Sequence, residues 1–234
     1  MKKCRLFFLP YAGGSSTTFR NWHEKLDEKI EFCIYEMPGH GKRIREPFVK
    51  TMEELLQDLY TYIEQLQNDD LPYYIAGHCM GAVLAYELCY ILKARNLKLP
   101  EMLLLSGHAT LENTRVDEKI SEMTREQMIQ QLLKDQLITK EMLIDELLNL
   151  IIPPIQADAF VYENYIYDTT KGPLDINLKI IYGSDDPKAL EEEVYEWSRF
   201  QKNKVEYTKL EGNHYFILNN PQYIDKLNKY ILKD

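Results

Sequence analysis

The stretch Tyr73-Tyr74-Ile75-Ala76-Gly77-His78-Cys79-Met80-Gly81-Ala82-Val83-Leu84 reads as a short apolar strand, a glycine-bracketed turn and the start of a helix. Beyond the turn, Met80, Val83, Leu84, Leu88, Ile91 and Leu92 recur at helical spacing. The turn has the form Gly-x-nucleophile-x-Gly. Gly77 and Gly81 leave room for a strained backbone, which pushes the middle side chain out between strand tip and helix start. Serine is the usual middle residue of this pattern; here it is Cys79.

Upstream, residues 5–9 form a buried-type strand that runs into Pro10-Tyr11-Ala12-Gly13-Gly14-Ser15-Ser16. Small residues directly after a strand let backbone N–H groups face a ligand, as an oxyanion hole requires, although an ordinary strand–helix turn has the same composition. A helix is expected over 17–26 and a second strand over 31–37. The loop Pro38-Gly39-His40-Gly41-Lys42-Arg43 follows, with His40 read as a loop residue because glycines flank it. Thr51 and Glu54 form a capping box that opens a helix with Met52, Leu55, Leu56, Leu59, Ile63 and Leu66 on one face. Asp69-Asp70-Leu71-Pro72 is the turn into the central strand. After the long helix a strand over 101–105 ends at Ser106-Gly107-His108. The alternation β-α-β-α-β-α-β predicts an α/β fold with a mostly parallel sheet, helices covering both faces.

From about 112 to 168 the pattern changes to helix signals with no strand. A helical insertion between two strands of such a sheet forms a lid over the strand ends, where ligands bind. Helices are expected to start at Thr124 and Thr139, with an interruption at Pro153-Pro154 and a third helix over 155–165. Met142, Leu147, Ile151, Phe160 and Tyr165 are candidates to line an acyl pocket, or simply to pack the lid onto the body. The sheet pattern resumes at 178–182, ending in Gly183-Ser184-Asp185-Asp186-Pro187, then a helix over 188–200. A strand over 204–210 ends in Glu211-Gly212-Asn213-His214-Tyr215-Phe216, and a helix over 221–232 closes the chain. The expected organisation is one domain over 1–234 with a lid at about 112–168.

The 234 residues, 45% hydrophobic and 28% charged, suffice for one sizeable core in a globular protein. A formal net charge of −9 argues against nucleic acid as the main ligand, since phosphate binding needs a basic surface. Lys42, Arg43 and Arg45 form a local basic patch for an acidic partner, or a solvated loop. Cys4, Cys33, Cys79 and Cys89 fit no zinc spacing and no C-x-x-C pair; all but Cys79 read as reduced, buried residues. The apolar run before Pro10 is too short for a signal peptide. No run approaches the roughly 18 apolar residues of a membrane span. A cytoplasmic protein with no membrane attachment is expected.

Cys79, Asp186 and His214 stand at three separate strand ends, in the chain order nucleophile, acid, base known from α/β-hydrolases. The helix N-terminus and an adjacent imidazolium favour a Cys79 thiolate. His214 would share its proton and return it to the leaving group. Asp186 would fix the imidazole tautomer, with Asp185 as the rival for that role. The Met80 N–H and one from the Tyr11–Ala12 region would hold an oxyanion. Taken singly, each residue also fits a purely structural role at a tight turn.

The chain resembles the type II thioesterases that accompany nonribosomal peptide and polyketide synthases. The resemblance is carried by Phe8 to Gly14, Pro38 to Arg43, Gly77 to Ala82, Ile152 to Asp158, Gly183 to Pro187 and Gly212 to Phe216. It implies an α/β-hydrolase fold with a helical lid. It also implies hydrolysis of acyl or aminoacyl thioesters on the phosphopantetheine arm of an acyl or peptidyl carrier protein. On this likeness Cys79, Asp186 and His214 are catalytic, Ala12 and Met80 form the oxyanion hole, and no metal or organic cofactor takes part; a monomer is expected. The chain departs from the family's usual pattern at Cys79, where serine is common, and at His40, where arginine often stands. A cysteine forms a thioester intermediate that stays reactive towards amines, so an acyltransferase or cyclase on the same fold is the enzyme alternative. A non-catalytic module that binds a carrier protein is the alternative from another class.

Overall fold

The computed structural model describes residues 2–67, 70–112 and 119–232. Its strands are β1 (Cys4–Leu9), β2 (Ile30–Ile34), β3 (Tyr73–His78), β4 (Met102–Ser106), β5 (Leu178–Gly183) and β6 (Glu206–Leu210). Its helices are α1 (Trp22–Lys25), α2 (Met52–Leu66), α3 (Met80–Ala94), α4 (Arg125–Lys134), α5 (Asp145–Glu163), α6 (Glu191–Val194), α7 (Phe216–Asn219) and α8 (Gln222–Leu232). The sheet order is β2-β1-β3-β4-β5-β6, and each neighbouring pair is parallel. The winding reverses between β1 and β3, so the carboxyl ends of these two strands open a crevice at a topological switch point. Ala12 follows β1 and Cys79 follows β3, which puts both at that crevice.

Side chains alternate across each strand. Phe7, Leu9, Ile75, Leu103, Leu105 and Ile180 pack on one face with Leu55 and Leu59 of α2 and Val83 and Leu84 of α3. Leu6, Phe8, Tyr74, Ala76, Leu104 and Ile181 pack on the other with Trp22 of α1 and Tyr223, Ile224 and Leu227 of α8. Both faces are covered, which is why the central strands read as unbroken apolar runs.

The lid has a small core of its own, formed by Met128, Leu132, Ile138, Leu148 and Ile152. Its α4 opens with a reciprocal capping box: Thr124 Oγ1 accepts the Gln127 N–H at 3.3 Å, and Gln127 Oε1 accepts the Thr124 N–H at 2.8 Å. Among the described residues no helix is long and apolar enough to cross a membrane.

Several expected boundaries shift. The interruption at Pro153-Pro154 does not occur; both prolines lie inside the continuous helix α5. The carbonyls that lose their donors belong to Asn149 and Leu150, both exposed residues, where water can serve them. The start at Thr139 yields only a 3-10 turn, Lys140–Met142. Helix over 17–26 shrinks to Trp22–Lys25, because the Ser- and Thr-rich approach closes a turn from the Thr18 N–H to the Ser15 carbonyl. The helix over 188–200 starts late, at Glu191, and tightens into a 3-10 segment over Tyr195–Phe200. Asp69 of the expected turn and positions 113–118 of the lid lie outside the described residues.

Candidate active site

The tight turn at Cys79 follows from its two glycines. A Cβ on Gly77 would sit 2.2 Å from the Gly81 carbonyl oxygen, and one on Gly81 would sit 2.0 Å from that of Leu9. Only bare backbone lets β3, β1 and the first turn of α3 approach this closely. Cys79 takes φ 54°, ψ −118°, a conformation that costs a non-glycine residue of order 1–3 kcal/mol and holds its side chain at the mouth of the crevice.

Asp186 and His214 reach the same point from the ends of β5 and β6. His214 Nδ1 lies 3.0 Å from both Asp186 carboxylate oxygens, and both residues are buried. The Lys188 N–H donates to Asp186 Oδ1 at 2.9 Å, which braces the carboxylate. The His214 ring and the Cys79 thiol are each other's strongest charge partner. Asp185 instead accepts from Ser184 Oγ, at 2.7 Å, so the rival acid turns away from the ring.

Electrostatics separates Cys79 from the other thiols. Burial pushes the Cys33 thiol up to about 11 and raises Cys4 and Cys89 as well. Burial also opposes a charge on Cys79. There, however, the His214 charge and hydrogen bond, the Lys188 ammonium and the Met80 N–H outweigh it, and the thiol falls below 9.0. His214 is raised despite burial, chiefly by the Cys79 thiolate and by Asp186. Asp186 is lowered despite burial, chiefly by its bond to His214. Each shift favours the charged form of its group: thiolate, imidazolium and carboxylate.

Beneath the pair, His78 packs at 5.1 Å between ring centroids against His214, and its Nδ1 lies 2.9 Å from Ser106 Oγ. Complete burial, reinforced by the His214 charge, keeps it neutral.

The crevice opens into a cavity of about 410 Å³, within the range of small-molecule sites. Cys79, Met80 and Ala12 line its floor, and Ile155, Ala159 and Tyr162 of α5 line its roof. Among the described residues no acceptor takes the Ala12 N–H. The five lid residues expected at the pocket go elsewhere. Met142 and Ile151 line a neighbouring cavity of about 410 Å³, and Leu147 lines neither. Phe160 is half exposed, and the Tyr165 hydroxyl donates to the buried Glu87 carboxylate at 2.7 Å. The missed lining follows one helical stripe, Ile155–Ala159–Tyr162, at spacings of four and three. The Tyr162 hydroxyl and His108 Nε2 are hydrogen-bonded at 2.7 Å, and burial drops His108 to about 4, so that ring is neutral. Lys188 was also missed; its one sequence signal is its place two residues after Asp186.

In the basic loop, Arg43 is committed to Asp58 at 2.7 and 2.8 Å and to Glu46. The expected patch is therefore reduced to Lys42 and Arg45, both exposed.

The family model for the thioesterase domain matches residues 4–231. The chain belongs to the thioesterase family. It is 30% identical over 217 residues to Thioesterase PikA5 of Streptomyces venezuelae, spanning 91% of this chain and 75% of that protein. It is 26% identical over 216 residues to the Gramicidin S biosynthesis protein GrsT of Aneurinibacillus migulanus, spanning 92% and 83%. Among solved structures, the RedJ thioesterase from the prodiginine biosynthetic pathway in Streptomyces coelicolor superposes with a TM-score of 0.87 at 27% identity, over 97% of this chain and 85% of that one. This thioesterase is thus a hydrolase acting on thioesters, with the α/β fold of its relatives.

Proposed function

We propose that this thioesterase is an editing, type II enzyme that removes acyl or aminoacyl groups from the phosphopantetheine arm of acyl or peptidyl carrier proteins. The single observation that carries the mechanism is the Cys79 thiol, lowered while its three fellow thiols are raised, beside a His214 held by Asp186. The names of the relatives support the setting: they belong to gramicidin S, prodiginine and similar biosyntheses. In this reading the enzyme works as a cytoplasmic monomer, and the carrier protein is its partner.

The Cys79 thiolate attacks the thioester carbonyl carbon, and the carbonyl π pair moves onto oxygen. The Met80 and Ala12 N–H groups receive that oxyanion. Collapse breaks the bond to the pantetheine sulfur, and the His214 imidazolium gives it a proton. The acyl group now sits on Cys79 as a second thioester. His214, neutral, then takes a proton from water as its oxygen attacks the acyl carbon. The second collapse releases the carboxylic acid and restores the thiolate–imidazolium pair. Asp186 keeps Nδ1 protonated throughout, so that Nε2 serves both steps.

The test is release of free acid from an acyl-loaded carrier protein, measured for the parent and for Cys79→Ala. Release by the parent and none above background in the variant is the expected result; equal release by both overturns the mechanism. The identity of Cys79 favours one second reading. An acyl-thioester intermediate reacts with amines more readily than an oxyester does, so acyl transfer or cyclisation competes with hydrolysis. Added amine acceptor diverting acyl groups into amide supports that reading, and free acid alone excludes it.

A further inference from the structure

One lid carboxylate ties the lid to the turn after β1. Asp158 of α5 is buried, and its Oδ2 accepts the Gly13 N–H at 2.7 Å. The same oxygen lies 2.9 Å from His40 Nε2, itself buried. The other ring nitrogen, Nδ1, lies 3.0 Å from the Pro38 carbonyl. The Asp158 carboxylate thus stands at ion-pair distance from the ring, which favours the protonated form of a His40 lodged between the body and the lid. Burial works against that charge, but Asp158, the Pro38 carbonyl and Glu36 outweigh it, and the ring titrates above 6.5.

The peptide held by Asp158 lies in a tight turn. The Gly14 N–H donates to the Tyr11 carbonyl at 2.8 Å, and Gly13 has φ +80°, the geometry of a type II turn with glycine at its third position. In a planar trans peptide the C=O and N–H point in opposite directions. Pinning the Tyr11 carbonyl inside the turn therefore aims the Ala12 N–H out of it. Asp158 pins the next peptide through Gly13. A Cβ on Gly13 would sit 2.2 Å from Cγ1 of Ile155, which lies three residues before Asp158 on the same face of α5. Ile155 and Ala12 both line the cavity at Cys79.

We propose that Asp158 is a positioning residue for the thioesterase reaction: with His40 it clasps the lid onto the turn of residues 11–14, and so aims the Ala12 N–H at the reacting carbonyl. The proposal rests on Ala12 being an oxyanion donor. It goes further in making lid seating and oxyanion stabilisation one event, governed by the charge on His40. The groups facing His40 are Asp158 from α5, Glu36 from the segment after β2, and the Phe48 ring at 6.0 Å. Nearby, Arg43 is held by Asp58, Glu46 and the Glu36 carbonyl, and the Tyr35 hydroxyl donates to Asp58. The His40 pKa is raised by folding, so the clasp is complete below pH 6.5 and is lost as pH rises through the folded value.

The experiment follows hydrolysis of octanoyl-N-acetylcysteamine against pH for the parent, Asp158→Asn, His40→Gln and His40→Arg. Asp158→Asn is expected to lower kcat about tenfold or more with KM within about twofold, since donor alignment rather than substrate binding is lost. His40→Gln lowers kcat in the same way. His40→Arg, whose charge does not titrate, restores kcat relative to His40→Gln and lacks the parent's loss of kcat as pH rises through the raised His40 value. The parallel readout is the NMR signal of the Gly13 amide, which is expected to titrate with His40 in the parent and to stay fixed in His40→Arg. A Gly13 amide that does not titrate overturns the clasp. An amide that titrates while Asp158→Asn keeps the parent's kcat overturns the role of the Ala12 donor instead. Should Asp158→Asn fail to fold, the amide titration and the pH profiles of parent and His40→Arg still decide; identical profiles refute the proposal.

Discussion

His214 Nδ1 stands 3.0 Å from each carboxylate oxygen of Asp186, from a loop 28 residues further along the chain. An acceptor-only group on both oxygens keeps the proton on Nδ1 and leaves Nε2 for Cys79. Asp186→Asn can offer its NH₂ to the ring and stabilise the wrong tautomer. Its kcat is expected to fall by about 10²-fold or more, judged from the equivalent change in serine enzymes. Asp185→Asn is the control, with kcat within about twofold of the parent, because the Asp185 carboxylate bonds only the adjacent Ser184 among the described contacts. Steady-state acyl release measures both, and equal losses would remove the distinction between the two acids.

Alkylation reads the state of Cys79 directly. Its thiol titrates below 9.0, whereas burial holds Cys33 up at about 11. Iodoacetamide at neutral pH is therefore expected to modify Cys79 first, as judged by peptide mass spectrometry. Lys188→Met removes a cation that favours the thiolate and is expected to move the midpoint of Cys79 alkylation to higher pH. An unmoved midpoint would mean that His214 and the Met80 N–H suffice.

The same shifts set the pH profile. Cys79 is lowered from 9.0 and His214 is raised to about 9, so the thiolate–imidazolium pair is favoured between the lowered thiol value and about 9. The rate of Cys79 acylation is expected to rise with pH through the lowered thiol value and to fall as His40 and His214 lose their protons above their raised values. Single-turnover kinetics on an acyl-loaded carrier protein checks this. A single rise centred near the free-thiol value, with no fall at higher pH, would contradict the pairing.

Away from the site, Thr51 Oγ1 accepts the Glu54 N–H at 3.2 Å at the start of α2. The Glu54 carboxylate reaches back one residue too far for a reciprocal box and accepts the Lys50 N–H instead, at 2.8 Å. Thr51→Ala is expected to cost about 1 kcal/mol of stability, seen as a lower Tm, with kcat unchanged.

The sheet was legible because its strands are short apolar runs closed by glycine, proline and small polar residues, and because each candidate site residue follows such a run. Register was not legible: that Leu9 pairs with Gly77 is decided by Gly81 meeting the Leu9 carbonyl, a contact between distant segments. The lid misled for a related reason. Pro153-Pro154 looked like a break, yet the helix runs through them. With α5 continuous, its inward stripe carries Ile155, Asp158, Ala159 and Tyr162, while Phe160 points outward. His40 is a loop residue, as its glycine neighbours suggested, but its partner on α5 is far away in sequence and leaves no local signal. Asp186 was expected as the acid with Asp185 as its rival, and the end of β5 turns the Asp186 carboxylate to His214.

The most direct test of the central claim is intact-protein mass spectrometry after mixing the protein with an acyl-loaded carrier protein, run beside Cys79→Ala and Cys79→Ser. Cys79 as nucleophile predicts that the parent gains the mass of one acyl group, that the adduct decays as free acid appears, and that Cys79→Ala gains nothing. An adduct that persists in Cys79→Ala, or free acid released at the parent's rate by that variant, would contradict it.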